Sequence, residues 1–194
     1  MLTHENLLSN MAALSTVMTL DVNDRHLSYM PLAHIFERVA LNNMFLYGSS
    51  VAFWRGDPLL LIEDMQACRP TSLPAAPRVL NKIYDKVVSG INAAGGAKKK
   101  IFDAGLAAKT ANIRQNGKLT HPLYDRLVFN KIKKALGMDQ LKFMISGSAP
   151  LADNVMMFFR CLLGCPVVEG YGQTEGETLA STATFCLLSL ISDF

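Results

Sequence analysis

The sequence predicts an α/β fold, layered around a mostly parallel sheet flanked by helices. Three observations carry this. Short apolar or alternating segments of strand length alternate with longer segments whose apolar residues recur at helical spacing. Two strand segments near the carboxyl end finish in glycine-rich loops one helix apart, as in a right-handed βαβ unit. The chain has 194 residues, 50% hydrophobic and 18% charged, which suits one core and excludes a disordered or collagen-like chain.

The elements follow in order. Thr3 can cap a helix whose apolar positions are Leu7, Leu8, Met11, Leu14 and Met18. Asp21 to Arg25 is turn-like, and His26–Met30 alternates as a strand stopped by Pro31. His34 to Tyr47 is helical, with Gly48 closing it. Val51–Trp54 is a second strand, and Pro58 opens a helix running to about Cys68. Arg69 to Pro74 is extended, because Pro70, Pro74 and Pro77 prevent a helix. Leu80, Ile83, Tyr84 and Val87 mark the next helix. Gly90 to Lys100, with three glycines and a lysine triplet, reads as a loop or linker. Helices over Ile101–Ile113 and Pro122–Leu136 precede a strand at Leu141–Ile145, a helix at Leu151–Leu163 and a strand at Pro166–Glu169.

Composition narrows the function classes. A net charge of +3 gives no strong field for nucleic acid. No apolar stretch approaches the ~20 residues of a membrane helix, and Met1–Glu5 has no signal-peptide pattern. A mean hydropathy of +0.21 points to apolar surface that a partner, a lipid or further chain covers. The cysteines at 68, 161, 165 and 186 form no Cys-x-x-Cys and read as free thiols in a reducing compartment.

The chemistry concentrates between residues 141 and 177. One strand ends in Ser146-Gly147-Ser148-Ala149-Pro150-Leu151, and the next in Glu169-Gly170-Tyr171-Gly172-Gln173-Thr174-Glu175. In a βαβ unit both loops emerge at the carboxyl edge of the sheet, where α/β folds bind nucleotides. The small residues of the first allow close backbone approach to a ring or a phosphate. The second offers an aromatic face, a hydroxyl and a carboxylate, suited to stacking, phosphate binding and magnesium coordination. Either loop alone is most simply a glycine turn; together they point to a nucleotide. Gly170-x-Gly172 is no dinucleotide fingerprint, since position 175 is Glu, and neither Ser146 nor Ser148 sits in a Gly-x-Ser-x-Gly frame.

Gly170-Tyr171-Gly172-Gln173-Thr174-Glu175 resembles the Tyr-Gly-x-Thr-Glu signature of adenylate-forming, AMP-binding enzymes. Met30-Pro31-Leu32-Ala33-His34-Ile35-Phe36-Glu37-Arg38 narrows the resemblance to long-chain acyl-CoA synthetases. Gly56-Asp57 with Leu60, Arg69-Pro70-Thr71, Pro77–Lys82 and Leu123–Leu127 are similar to that branch in the same order. The likeness covers Met1 to Thr178, a partial adenylation domain. Residues 179–194 read as a tail divergent from the family.

The resemblance implies a two-step ligase. A long-chain fatty acid carboxylate attacks the α-phosphorus of ATP, and the thiol of coenzyme A then displaces AMP from the acyl-adenylate. It further implies that Gly147, Ser148, Ala149, Gly170 and Gly172 line the nucleotide and that Tyr171 stacks on adenine. Thr174 would hold the α-phosphate, and Glu175 would ligate Mg2+. His34 resembles the family histidine near the acyl-adenylate; its plainer reading is a helix-start histidine satisfied by backbone. Arg78 reads as surface or interdomain, Lys98–Lys100 as a solvated loop or a patch for anionic lipid, and His4, His26 and His121 as surface. The family also carries a phosphate loop before the residues matching Met1–His4, and a carboxyl-terminal lysine domain beyond Glu175. The isolated chain is therefore expected to be inactive and prone to aggregate. The alternatives are a non-catalytic nucleotide- or acyl-binding module and a fragment without independent function. For the parent enzyme the resemblance implies the cytosolic face of the endoplasmic reticulum or another organelle membrane.

Overall fold

A computed structural model describes residues 3–170. Five parallel strands form one sheet in the order β2-β1-β3-β4-β5, namely β1 (Arg25–Ser28), β2 (Ser50–Phe53), β3 (Ser72–Ala75), β4 (Phe143–Gly147) and β5 (Val167–Gly170). The expected α/β class, with a parallel sheet between helices, is what the chain adopts.

Alternation along the strands divides the core between two faces. Leu27, Leu73, Met144 and Val167 point to the larger cluster, covered by α3 (Leu61–Cys68), α4 (Pro77–Ala94), α5 (Gly96–Asn116), α7 (Asn130–Leu136) and α8 (Asp153–Leu163). Ile145 and Val168 point the other way, to Phe36 of α2 (Ile35–Leu46). The first helix, α1 (His4–Val17), packs beside α2. Its Thr3 cap forms a reciprocal box with Asn6, with bonds of 2.9 and 3.2 Å.

Several expectations need correction. Gly90 to Lys100 is no loop, since α4 runs through Gly90 to Ala94 and α5 starts at Gly96. Val87, Val88 and Ile91 pack on the core on either side of Gly90. That burial outweighs the ~1 kcal/mol a helical glycine costs. Only Gly95 and Gly96, with φ of 55° and 51°, break the path. Lys98–Lys100 accordingly lie in the first turns of α5, where Lys99 pairs with Asp103 at 2.7 Å.

The extended Arg69–Pro74 segment leads into a central strand despite Pro74. β1 meets β3 at one register position, His26 with Ser72, which fits a strand whose Pro74 has no N–H to donate. The helix after Pro58 begins only at Leu61, because Asp57 holds a turn through the amides of Leu59 and Leu60.

The helical stretch from Pro122 to Leu136 is interrupted by a π-helical turn, Asp125–Phe129, after the short α6 (Pro122–Tyr124). Its Asp125 accepts from the fully buried Lys109 of α5, whose ammonium also sits 4.9 Å from the centre of the Phe129 ring.

His26 is not a surface residue; it is fully buried, and His121 is partly buried against Tyr124. The expected exposure of His4 and Arg78 holds.

Cys68, Cys161 and Cys165 are free thiols. Burial pushes the Cys165 thiol up to about 11 and raises that of Cys161. In the unfolded chain Cys165 ionises near the ordinary thiol value, so the native state holds its proton longer as pH rises. Its contribution to stability is therefore complete below the unfolded value and is lost between there and about pH 11. The loss expected from this one group is roughly 2–3 kcal/mol. Urea midpoints of wild type and Cys165→Ala across that window check it: the wild type should fall more steeply.

Candidate functional site

The carboxyl edge of the sheet brings together the first glycine loop, the end of β5 and the start of α2. Gly147 lies opposite Gly170 in the β4–β5 register, and Ser146 lies opposite Glu169. A side chain at Gly147 would place its Cβ 3.2–3.3 Å from the Phe36 ring and 3.5 Å from the Gly170 carbonyl oxygen. A Cβ here would thus be tight, and the Phe36 ring would have to give by a few tenths of an ångström. The next residue, Ser148, takes a left-handed φ of 74°, which turns the chain sharply off the sheet. Ser148, Ala149 and Pro150 are exposed at this edge.

Two hydrogen bonds fix the loop from outside. Glu169 Oε1 accepts from the Leu151 amide at 2.7 Å, tying the far end of the loop to β5. His34 Nε2 lies 3.5 Å from Ser148 Oγ. The other ring nitrogen of His34, Nδ1, accepts from the Phe36 amide at 3.2 Å and so caps α2. The helix-start reading of His34 is therefore correct, and the same ring also faces the glycine loop. Arg38 donates from Nε and Nη2 to the Leu32 carbonyl, both at 3.2 Å, closing the turn that presents His34.

Behind Phe36, between α1, α2 and the sheet, lies an apolar cavity of about 40 Å3 lined by residues including Leu14, Met18, Val39 and Ile145. It is too small for a long acyl chain unless α1 or α2 moves.

Of the residues singled out in the sequence, Gly147, Ser148, Ala149, Gly170 and His34 converge here. Tyr171, Gly172, Thr174 and Glu175 lie outside the described residues, as does the boundary at Thr178. Among the described residues there is no group of His, Cys, Asp and Glu able to hold a metal ion, and no helix long and apolar enough to cross a membrane. Sequence reasoning missed Glu169, Phe36 and Glu37. Glu169 carried a signal, a carboxylate on the inner side of a glycine turn; the other two lie in the Met30–Arg38 stretch, where the resemblance gives a role to His34 alone.

The residues present fit a nucleotide. The loop backbone is free of side-chain bulk at Gly147, exposed from Ser148 to Pro150, and braced at both ends. Such an edge binds flat rings and phosphates through main-chain groups.

Comparison with known proteins gives the context. The profile described as AMP-binding enzyme matches residues 1–190. The peroxisomal long chain acyl-CoA synthetase 6 of Arabidopsis thaliana is 41% identical over 180 residues, which are 93% of this chain and 25% of that protein. Long-chain-fatty-acid–CoA ligase 5 of Rattus norvegicus is 41% identical over 179 residues, 90% of this chain and 26% of that protein. The chain thus spans about a quarter of the length of these relatives. Among solved structures, the A domain of carboxylic acid reductase from Segniliparus rugosus, in complex with AMP and a co-purified carboxylic acid, shares the fold. Its TM-score is 0.66 at 24% identity, over 90% of this chain and 25% of that one.

Proposed function

The chain belongs to the AMP-binding enzyme family, and from that premise we propose that it is part of the nucleotide-binding domain of a long-chain fatty-acid–CoA ligase. The full-length enzyme joins a fatty acid to ATP as an acyl-adenylate, releasing pyrophosphate, and transfers the acyl group to the thiol of coenzyme A, releasing AMP. The observation that carries this is the braced Gly147–Ala149 loop beside Gly170 and His34, in a chain 41% identical to named acyl-CoA synthetases.

In this reading Gly147, Ser148 and Ala149 lie against adenine, Gly170 keeps the facing strand end clear, and Gly172 is a further nucleotide contact. Tyr171 stacks on the base, and Thr174 donates to the α-phosphate. Glu175 holds Mg2+, which neutralises phosphate charge when bound. His34, 3.5 Å from Ser148 Oγ, meets the acyl-adenylate beside the nucleotide loop. These residues mostly orient two anionic reactants against each other. Two relatives named as peroxisomal favour work at an organelle.

The test is direct. Full-length enzyme with palmitate, ATP, magnesium and coenzyme A should yield palmitoyl-CoA by mass spectrometry. Glu175→Gln keeps the shape but loses the charge for magnesium, and should lower pyrophosphate release by ~10²-fold or more with folding intact. Absence of thioester from the wild type refutes the ligase reading, and wild-type rates in the variant remove Glu175 from the site.

A further inference from the structure

We infer that Glu37 and His26 form a buried positioning pair that sets the first turn of α2, and with it His34, against the Gly147–Ser148 loop. The kinetic consequence rests on the ligase reading; the geometric one does not.

His26 Nε2 and Glu37 Oε1 are 2.8 Å apart, and both side chains are fully buried. The pair is not built for stability. Glu37 Oε2 and His26 Nδ1 are buried without a hydrogen-bond partner. Ionisable groups taken out of water with incomplete partners stabilise a fold less than an apolar pair of similar volume. A hydrogen bond has a direction, however, which apolar contacts lack.

That direction is anchored at one end and aimed at the other. His26 lies in β1 with Val51 on one side and Ser72 on the other, so the strand cannot shift freely. Glu37 follows Phe36, the residue that meets Gly147, and lies three residues after His34, the residue that meets Ser148. Arg38 already ties α2 to the preceding loop through the Leu32 carbonyl. The bond from Glu37 to β1 adds the contact with the sheet itself, and so fixes the rotation of α2 that turns His34 toward Ser148.

The decisive variant replaces both partners with apolar groups, His26→Leu/Glu37→Met. Removing both polar groups leaves no orphan, so the fold should melt at or above the wild-type temperature. A merely structural role would then be fully restored. Positioning would not: in the full-length protein, selectively labelled for NMR, the ring-to-side-chain contact between His34 and Ser148 should disappear. Acyl-adenylate formation should fall at least ~10-fold in kcat, with the KM for ATP little changed. Glu37→Gln, which keeps an acceptor for His26, should retain the contact and most of the rate. If the double variant does not fold, Glu37→Met alone is read in the same way.

Persistence of the His34–Ser148 contact in the apolar variant overturns the inference whatever the rate. Loss of the contact in a protein that makes no acyl-adenylate even as wild type supports the pair and refutes the ligase reading.

Discussion

Gly137→Ala should destabilise the fold by ~3 kcal/mol or more, or prevent folding at 37 °C. Gly137 ends α7 with a left-handed φ of 72°. A Cβ there would lie 2.3 Å from both the carbonyl carbon and oxygen of Met65, and 2.4 Å from the Gln66 nitrogen. These are backbone atoms of α3, which no rotamer change can move aside. Met65 is 1% exposed and Met138 is 1% exposed, so α3 cannot retreat without opening the core. Left-handed strain of about 1 kcal/mol therefore adds to an overpacking cost of a few kcal/mol.

Gly117→Ala is the matched control. It ends α5 with φ of 63°, but nothing lies within 4 Å of its Cβ position. It should lose only the strain, about 1 kcal/mol. Denaturant midpoints of the two variants separate strain from collision, and equal losses would show that α3 yields.

The contrast between these two glycines shows where the sequence is legible. Both are helix C-caps, and a glycine after a periodic apolar run is a local signal of one. Gly137 differs only in what a distant helix places against it, and no local pattern reports that. The same division holds elsewhere. The Thr3 cap, the strands at 25–28, 50–53, 143–147 and 167–170, and the glycine loop after β4 follow from neighbours in sequence. α4 continuing through Gly90 does not, because tertiary burial of Val87, Val88 and Ile91 overrides the glycine.

The candidate site divides in the same way. Gly147, Ser148 and Gly170 are visible in the sequence because glycine and small residues at strand ends carry their own reason. His34 is visible as a cap, but its approach to Ser148, 114 residues away, exists only once β1, β3 and β4 are side by side. His26 and Glu37 are separated by 11 residues and belong to different elements. A histidine in an alternating strand and a glutamate in a helix's first turn each look solvated, and only the crossing of α2 over β1 buries them together.

Gly147→Val should abolish adenylation in the full-length enzyme while costing the fold much less. The first added carbon would sit 3.2–3.3 Å from the Phe36 ring. The two methyl groups beyond it must displace that ring or press on the Gly170 carbonyl, 3.5 Å away. Phe36 is buried against Ile145 and Val168, so it moves only by shifting the start of α2. Overpacking of this kind costs about 1–3 kcal/mol. On the ligase reading the functional loss is larger, because the same displacement moves His34, spreads β4 from β5 and puts branched bulk where the nucleotide would meet the backbone. A shift near 1 Å in a positioning site costs ~10²-fold in rate. Adding Phe36→Leu makes room for the valine and should restore the melting temperature, yet pyrophosphate release should stay at least ~10²-fold down, since the backbone approach is still blocked. Recovery of the rate together with stability would mean that Gly147 serves packing alone and that the nucleotide does not lie against this loop.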